Sequence, residues 1–270
     1  MIRLTSEQLR KLQLIELEML KEIDRICRKY NIQYSLDGGT LLGAIRHGGF
    51  IPWDDDADIV MLRSEYEKFY EVCKKELDTD KFFLQEFRTD ENYRWGYSKM
   101  RRNGTVFLRE GQEHVKCNQG VFGDIFICDN VPDNFLLKKI HWAICYCIRK
   151  GLYSVVGKNK QKNILKFCGY EMLSKVPRGY WEHIIYKVSR QWNRIRTRNV
   201  GHMTYPYPKS CKYGMPRECF ESYLEKEFEG CSFRIFEKYD LYLKLLFGEY
   251  MKLPPAKERK THPVSKIKLI

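Results

Sequence analysis

The chain has 270 residues, of which 43% are hydrophobic and 14% aromatic, enough for a large packed core and too many for a disordered chain. Its formal net charge is +13, but residues 1–135 carry 20 basic and 24 acidic side chains, residues 136–217 carry 18 and 2, and residues 218–270 carry 10 and 9. A uniformly basic protein is excluded, and the positive charge belongs to one internal stretch.

The first residues, MIRLTSEQLRK, hold no apolar leader, and the longest apolar run, Ile140 to Ile148, is far short of the ~20 residues that span a bilayer. A cytoplasmic protein is expected, peripheral at most at the inner face of the plasma membrane. Of the 10 cysteines none forms a CxxC, so reduced and mostly buried thiols are expected. Cys145-x-Cys147 has the spacing of a metal-ligand pair, with no second pair to match it.

Residues 5–30 carry Leu9, Leu12, Leu17, Leu20, Ile23 and Cys27 at helical spacing, and Thr5 with Gln8 has the form of a capping box. A short strand over 32–37 runs into Gly38-Gly39, with a helix from Thr40 to Arg46. Gly48-Gly49 and Pro52 break the pattern. Ile59 to Leu62 predicts a strand, and Ser64-x-x-Glu67 a capped helix through Leu77. Strands are predicted over 82–87, 93–100 and 121–128, with a turn at Asn103-Gly104. Helices follow over 135–153 and 181–196, then a long irregular connection over 197–219. Residues 218–252 mix apolar spacings and read as a C-terminal helical cap. The tail, 256–270, is polar and basic and reads as loosely held. Strands first and helices later make an α+β pattern with a small sheet, not a doubly wound one.

Four carboxylates, Asp54, Asp55, Asp56 and Asp58, fall within five residues. Such density raises each carboxyl's proton affinity. On a strand, Asp56 and Asp58 point to the same face, where hard oxygen ligands suit Mg²⁺ or Mn²⁺. The competing reading is an acidic turn with solvated charges. Context favours the metal. Gly38-Gly39 lets a ligand approach the backbone, and N–H groups leading into a helix at Thr40 would form an anion site. Downstream, Asp124 interrupts an apolar strand, where it is costly unless paired or metal-bound. This is the layout of a two-metal phosphoryl site.

Those residues carry a resemblance. The segments GGTLLGAIRHGGFIPWDDDADI (38–59), KMRRNGTVF (99–107), GVFGDIFICDNVPD (120–133) and FEGCSFRIFEKYDLYLKLLFGEYMKLPP (228–255), with Arg259 and His262, resemble the LicD family of phosphotransferases, which includes the fukutin-related proteins. The blocks recur in order over nearly the whole chain. The sequence departs from the pattern at Ala57 and Ile127, neither of them a candidate ligand.

The resemblance implies a DNA-polymerase-beta-like nucleotidyltransferase core, with a small mixed sheet and helices, and an added helical region. With the division of charge, the chain reads as three parts: a catalytic core over 1–135, a basic helical insertion over 136–217 for an acceptor or a membrane, and a C-terminal segment over 218–270 packing on the core. The resemblance implies metal-dependent transfer of phosphocholine, or a related phospho-alcohol, from a CDP-linked donor such as CDP-choline. The acceptor is a sugar hydroxyl of a cell-surface glycan precursor, teichoic acid or lipopolysaccharide, lipid-linked or free, and CMP is released. Relatives that use CDP-ribitol or CDP-glycerol are the alternative, as is a nucleotidyltransferase making an activated donor.

By position, Asp56, Asp58 and Asp124 match the metal-binding carboxylates, with Mg²⁺ or Mn²⁺ expected. Asp54 matches the first acidic residue of the extended motif and is the candidate base or metal orienter. Gly38, Gly39 and Thr40 match the donor-phosphate loop. Arg46 and Lys99 are candidate phosphate clamps; alternatively Arg46 pairs with the Asp cluster and Lys99 is a solvated strand-edge lysine. Trp53 either stacks on a base or on choline, or packs under the motif. His47 is either a base or a structural hydrogen-bonding group, and His262 is a family match with no assigned chemistry.

For the basic stretch, an anionic substrate or an anionic membrane surface is expected ahead of nucleic acid. No nucleic-acid partner is expected, although a basic nucleic-acid-binding or scaffold protein with a dead site is the non-enzyme alternative.

Overall fold

A computed structural model describes residues 2–202, 214–259 and 261–270. The first helix, α1 (Ser6–Lys29), starts on the expected box. The Thr5 hydroxyl oxygen accepts the Gln8 N–H at 3.1 Å, and the Gln8 side chain accepts the Thr5 N–H at 3.0 Å. Then come β1 (Ser35–Leu36), α2 (Gly38–Arg46), β2 (Ala57–Leu62), α3 (Arg63–Glu76), β3 (Phe82–Gln85), β4 (Ser98–Arg102), β5 (Val106–Arg109) and β6 (Phe122–Val131). The helical part holds α4 (Phe135–Gly157), α5 (Ile164–Ser174) and α6 (Arg178–Arg190). The chain ends with β7 (Asn199–Gly201), β8 (Met215–Pro216), β9 (Tyr223–Phe228), β10 (Cys231–Phe236), α7 (Tyr239–Phe247) and β11 (Val264–Lys268).

The architecture is mixed α+β. One sheet runs in the order β1-β2-β6-β4-β3, with β7 paired to β6 and β8 to β7. β2 and β6 are parallel and the other neighbours antiparallel. β6 is the axis of this sheet. Nine of its ten residues are buried, because it is flanked by strands and covered by α1 and α3. A separate apolar cluster, Ile148, Leu152, Trp181 and Ile185, joins α4 to α6.

Several elements differ from the sequence reading, each for a local reason. β2 runs straight into α3, so Leu62 stands at the cap position with no side-chain bond and Ser64 lies inside the first turn. Residues 93–97 are irregular and β4 begins at Ser98. The second basic helix is α6, ending at Arg190, and α5 lies outside the predicted helices. The connection over 197–219 holds β7, β8 and a 3₁₀ turn at Arg217–Phe220; its residues 203–213, with Cys211, lie outside the described ones. The other nine cysteines are free thiols.

The C-terminal part is only partly helical: α7 follows a strand pair. YLEKEF and CSFRIF form a hairpin closed by Glu229 (φ 52°) and Gly230 (φ 71°), the two left-handed residues that a tight hairpin turn requires. Glu229 keeps this conformation while accepting the Phe50 N–H at 3.0 Å and an Arg10 N–H at 2.6 Å. The basic tail is not loose, because β11 pairs with β5 and Val264 bridges Ile2.

A buried ion pair ties the end of β6 to α3. Arg63 donates to Asp129 at 3.0 and 2.7 Å, and Asn193 donates to the same carboxylate at 2.6 Å. Asp129→Ala leaves the half-buried guanidinium with only Glu67, at 3.6 Å, and Asn193 without its acceptor, which costs about 2–3 kcal/mol. Urea unfolding is expected to show that loss, and a variant within about 1 kcal/mol of wild type would contradict it.

Candidate active site

Register builds the centre of the site. Parallel pairing of β2 with β6 sets Asp58 opposite Asp124, and antiparallel pairing of β4 with β6 sets Lys99 opposite the same aspartate. Lys99 is ion-paired to Asp124, and both are buried. β4 is an interior strand, so Lys99 is no solvated edge residue. Burial pulls its ammonium down to about 8, against the opposing pull of Asp124.

The carboxylate loop is held from several sides. The Gln13 side chain of α1 donates to the Asp54 carbonyl at 2.9 Å, and the Asp54 N–H donates to the Ile51 carbonyl at 2.9 Å. The Thr40 hydroxyl oxygen accepts the Asp58 N–H at 2.8 Å, which fixes how β2 enters the site. Burial, reinforced by Asp56 and Asp124, pushes the Asp58 carboxyl well above the usual range. Burial also raises Asp56, with Asp124 and Asp55 adding to it and His262 opposing. Burial and repulsion from Asp56 and Asp55 push Asp54 up to about 8.

The two glycines make room for these acids. A methyl group on Gly39 would lie 2.4 Å from Asp54 Oδ2, and one on Gly38 would lie 3.2 Å from Asp58 Oδ2. Gly38 also sits at φ 50°, where a side chain is strained. α2 begins at Gly38, not at Thr40, and Asp37 caps it by accepting the Gly38 N–H at 2.8 Å. The Tyr242 hydroxyl donates to Asp37 at 2.6 Å, which locks α7 to the start of α2.

Arg46 lies apart from the acids. It donates to the Tyr250 carbonyl at 2.7 Å, and burial and Arg259 lower its proton affinity. Trp53 packs against the core with the Arg259 guanidinium 4.6 Å from its ring. His47 caps the end of α2; burial and Arg46 lower its pKa.

Three contributors were not assigned from the sequence. Asp55 is buried and accepts both the N–H of His262 at 2.7 Å and its Nδ1 at 3.0 Å, which gives that histidine a structural partner. Among the described residues, Asp55, Asp56 and His262 are the group whose ligand atoms lie within 4.8 Å of one another. Glu16 lies on the buried face of α1; burial and the four aspartates hold its carboxyl well above the usual range. An acid set among Leu12, Met19 and Leu20 on the buried helix face is its visible signal. The third is a cleft of about 350 Å³ beside Lys99's strand. Trp95, Tyr97, Arg109, Arg149, Lys150 and Tyr153 line it, and among the described residues no carboxylate does.

Whether these residues fit a divalent cation is answered by Asp58. Its Oδ1 is buried with no hydrogen-bond partner among the described residues. An unpaired acid oxygen among three further acids is a poor arrangement for folding and a good one for a hard cation. The residues fit.

A family model described as LicD/FKTN/FKRP, nucleotidyltransferase domain, matches residues 31–124. Over 267 residues the chain is 34% identical to the lipopolysaccharide cholinephosphotransferase LicD of Haemophilus influenzae, covering 95% of this chain and 96% of that protein. The chain belongs to the LicD family. Within 28 residues it is also 61% identical to the ribitol 5-phosphate transferase FKRP of mouse and of human, 10% of this chain and 6% of those proteins. The LicD-family model ends at Asp124, so the carboxylates 54–58 and Asp124 all lie inside it.

The acid cluster sets a pH dependence. Asp54 titrates near 8 in the fold and near 4 once unfolded. The folded state therefore holds the extra proton between those values, and stability falls as pH rises through that window. With divalent cations chelated, the melting temperature of wild type is expected to fall from about pH 5 to about pH 8. Asp54→Asn is expected to make that slope shallower in a scanning-fluorimetry series. An unchanged slope would contradict the burial of Asp54's charge.

Proposed function

We propose that this chain transfers phosphocholine from a CDP-linked donor such as CDP-choline to a sugar hydroxyl of a cell-surface glycan precursor, releasing CMP. One observation carries the reading: Asp58 and Asp124 face each other on adjacent strands beside Asp54 and Asp56, in a chain alignable end to end with a cholinephosphotransferase. We read the core, 1–135, as a DNA-polymerase-beta-like nucleotidyltransferase fold, with 136–217 serving the acceptor side and 218–270 bracing the core.

Asp56, Asp58 and Asp124 would hold Mg²⁺ or Mn²⁺, which when bound offsets the negative charge that builds at the transferred phosphorus. Gly38, Gly39 and Thr40 face the donor phosphates. Lys99 holds Asp124 in place and supplies a second positive charge to the same region. The acceptor hydroxyl oxygen bonds to the distal phosphorus, the bond from that phosphorus to the CMP oxygen breaks, and the hydroxyl proton passes to Asp54, which would be ionised and able to accept it once a cation offsets the neighbouring acids. The cleft, rich in cations and aromatics, receives an anionic part of the substrate, a lipopolysaccharide or teichoic acid precursor on the cytoplasmic side of the plasma membrane.

The short stretch shared with FKRP supports a second reading, in which the alcohol is ribitol or glycerol. CMP release from CDP-choline, CDP-ribitol and CDP-glycerol, with and without Mg²⁺, tests both. Mg²⁺-dependent release from CDP-choline is expected, falling at least about hundredfold in Asp58→Asn with the fold intact by circular dichroism. Full activity in that variant, or pyrophosphate in place of CMP, would overturn the assignment.

A further inference from the structure

α4 is apolar along one line, of which only part is covered. Ile148 and Leu152 are buried against Trp181 and Ile185 of α6. Toward the N-terminus the same line carries Leu136, Ile140 and Ile144, which are 65%, 48% and 41% exposed. These are four residues apart, so they form one outward stripe. The neighbouring α5 has no buried residue at all, although its sequence is ILKFCGYEMLS. Ile164, Leu165 and Met172 in it are 70%, 79% and 73% exposed. Scattered exposed leucines need no explanation, but two adjoining helices that each expose several large apolar side chains do.

The charge around them selects the partner. Lys139, Lys162 and Lys166 flank these side chains, and among the described residues none has a carboxylate partner. The surrounding stretch, 136–217, has 18 basic residues against 2 acidic ones. A second copy of the chain would bring like charge to like charge. A nucleic acid would use the lysines and leave Leu165 and Met172 in water. No described helix is long and apolar enough to cross a membrane. Apolar side chains with a rim of lysines are the composition of a helix lying in the surface of an anionic bilayer.

We infer that α4 and α5 form a docking surface for an anionic lipid bilayer. The surface uses none of the acidic centre and stands whichever alcohol phosphate is transferred. α4 also supplies Arg149, Lys150 and Tyr153 to the cleft, so the docking surface and the cleft share one helix.

The test is flotation of the full chain with vesicles of equal parts phosphatidylglycerol and phosphatidylethanolamine, and with vesicles of phosphatidylcholine alone. Wild type is expected to float with the anionic vesicles and only weakly with the others. The double variant Ile164→Ser, Leu165→Ser keeps the net charge and touches no core residue. It is expected to partition at least about tenfold less, with an unchanged melting temperature. No flotation of wild type on anionic vesicles overturns the proposal, as does undiminished partitioning of the double variant. Sedimentation velocity supplies the remaining outcome: a dimer that the double variant turns into a monomer would assign the face to a second copy and also overturn it.

Discussion

β2 and β6 lie side by side, parallel and in register, so Asp58 and Asp124 stand on neighbouring strands about 4.8 Å apart. Two like charges held this close and away from water oppose folding. Much of the surrounding structure serves to hold them there. Thr40 and Gln13 fix the loop by its backbone, the paired glycines leave space for the carboxylates, and Lys99 neutralises one of them. Asp37, Tyr242, Asp55 and His262 bring the C-terminal part onto the same few residues. The apolar core supplies the stability that lets such a site persist, as strained and charged sites generally need.

The charge of the chain divides along the same lines. The sheet region concentrates acid around Asp54 to Asp58 and Asp124. The helical region concentrates base, and its cleft shares Tyr97 and Arg109 with the core. A net charge of +13 hides this division, because opposite excesses partly cancel.

Much of the site was legible in the sequence. The density of acids, the glycine pair before α2 and a lone aspartate in an apolar strand are local patterns with direct chemical meaning. The capping box of α1 was legible for the same reason. What escaped was set by distant parts of the chain. Lys99 reads as an edge residue until β3 is placed outside β4. His262 acquires a partner only because β11 returns to β5. The β9–β10 hairpin was obscured by charged residues on its exposed face, YLEKEF, and its turn uses Glu229 where Asn or Gly is the usual signal. α5 lacks the one-sided periodicity that marks a packed helix, since no side of it is buried.

On the proposed function, the clustered acids hold a divalent cation. Mn²⁺ titration followed by electron paramagnetic resonance measures that directly, without any turnover. Wild type is expected to bind Mn²⁺ with Asp58→Asn and Asp124→Asn each at least about tenfold weaker. Equal Mn²⁺ binding by wild type and both variants would contradict it.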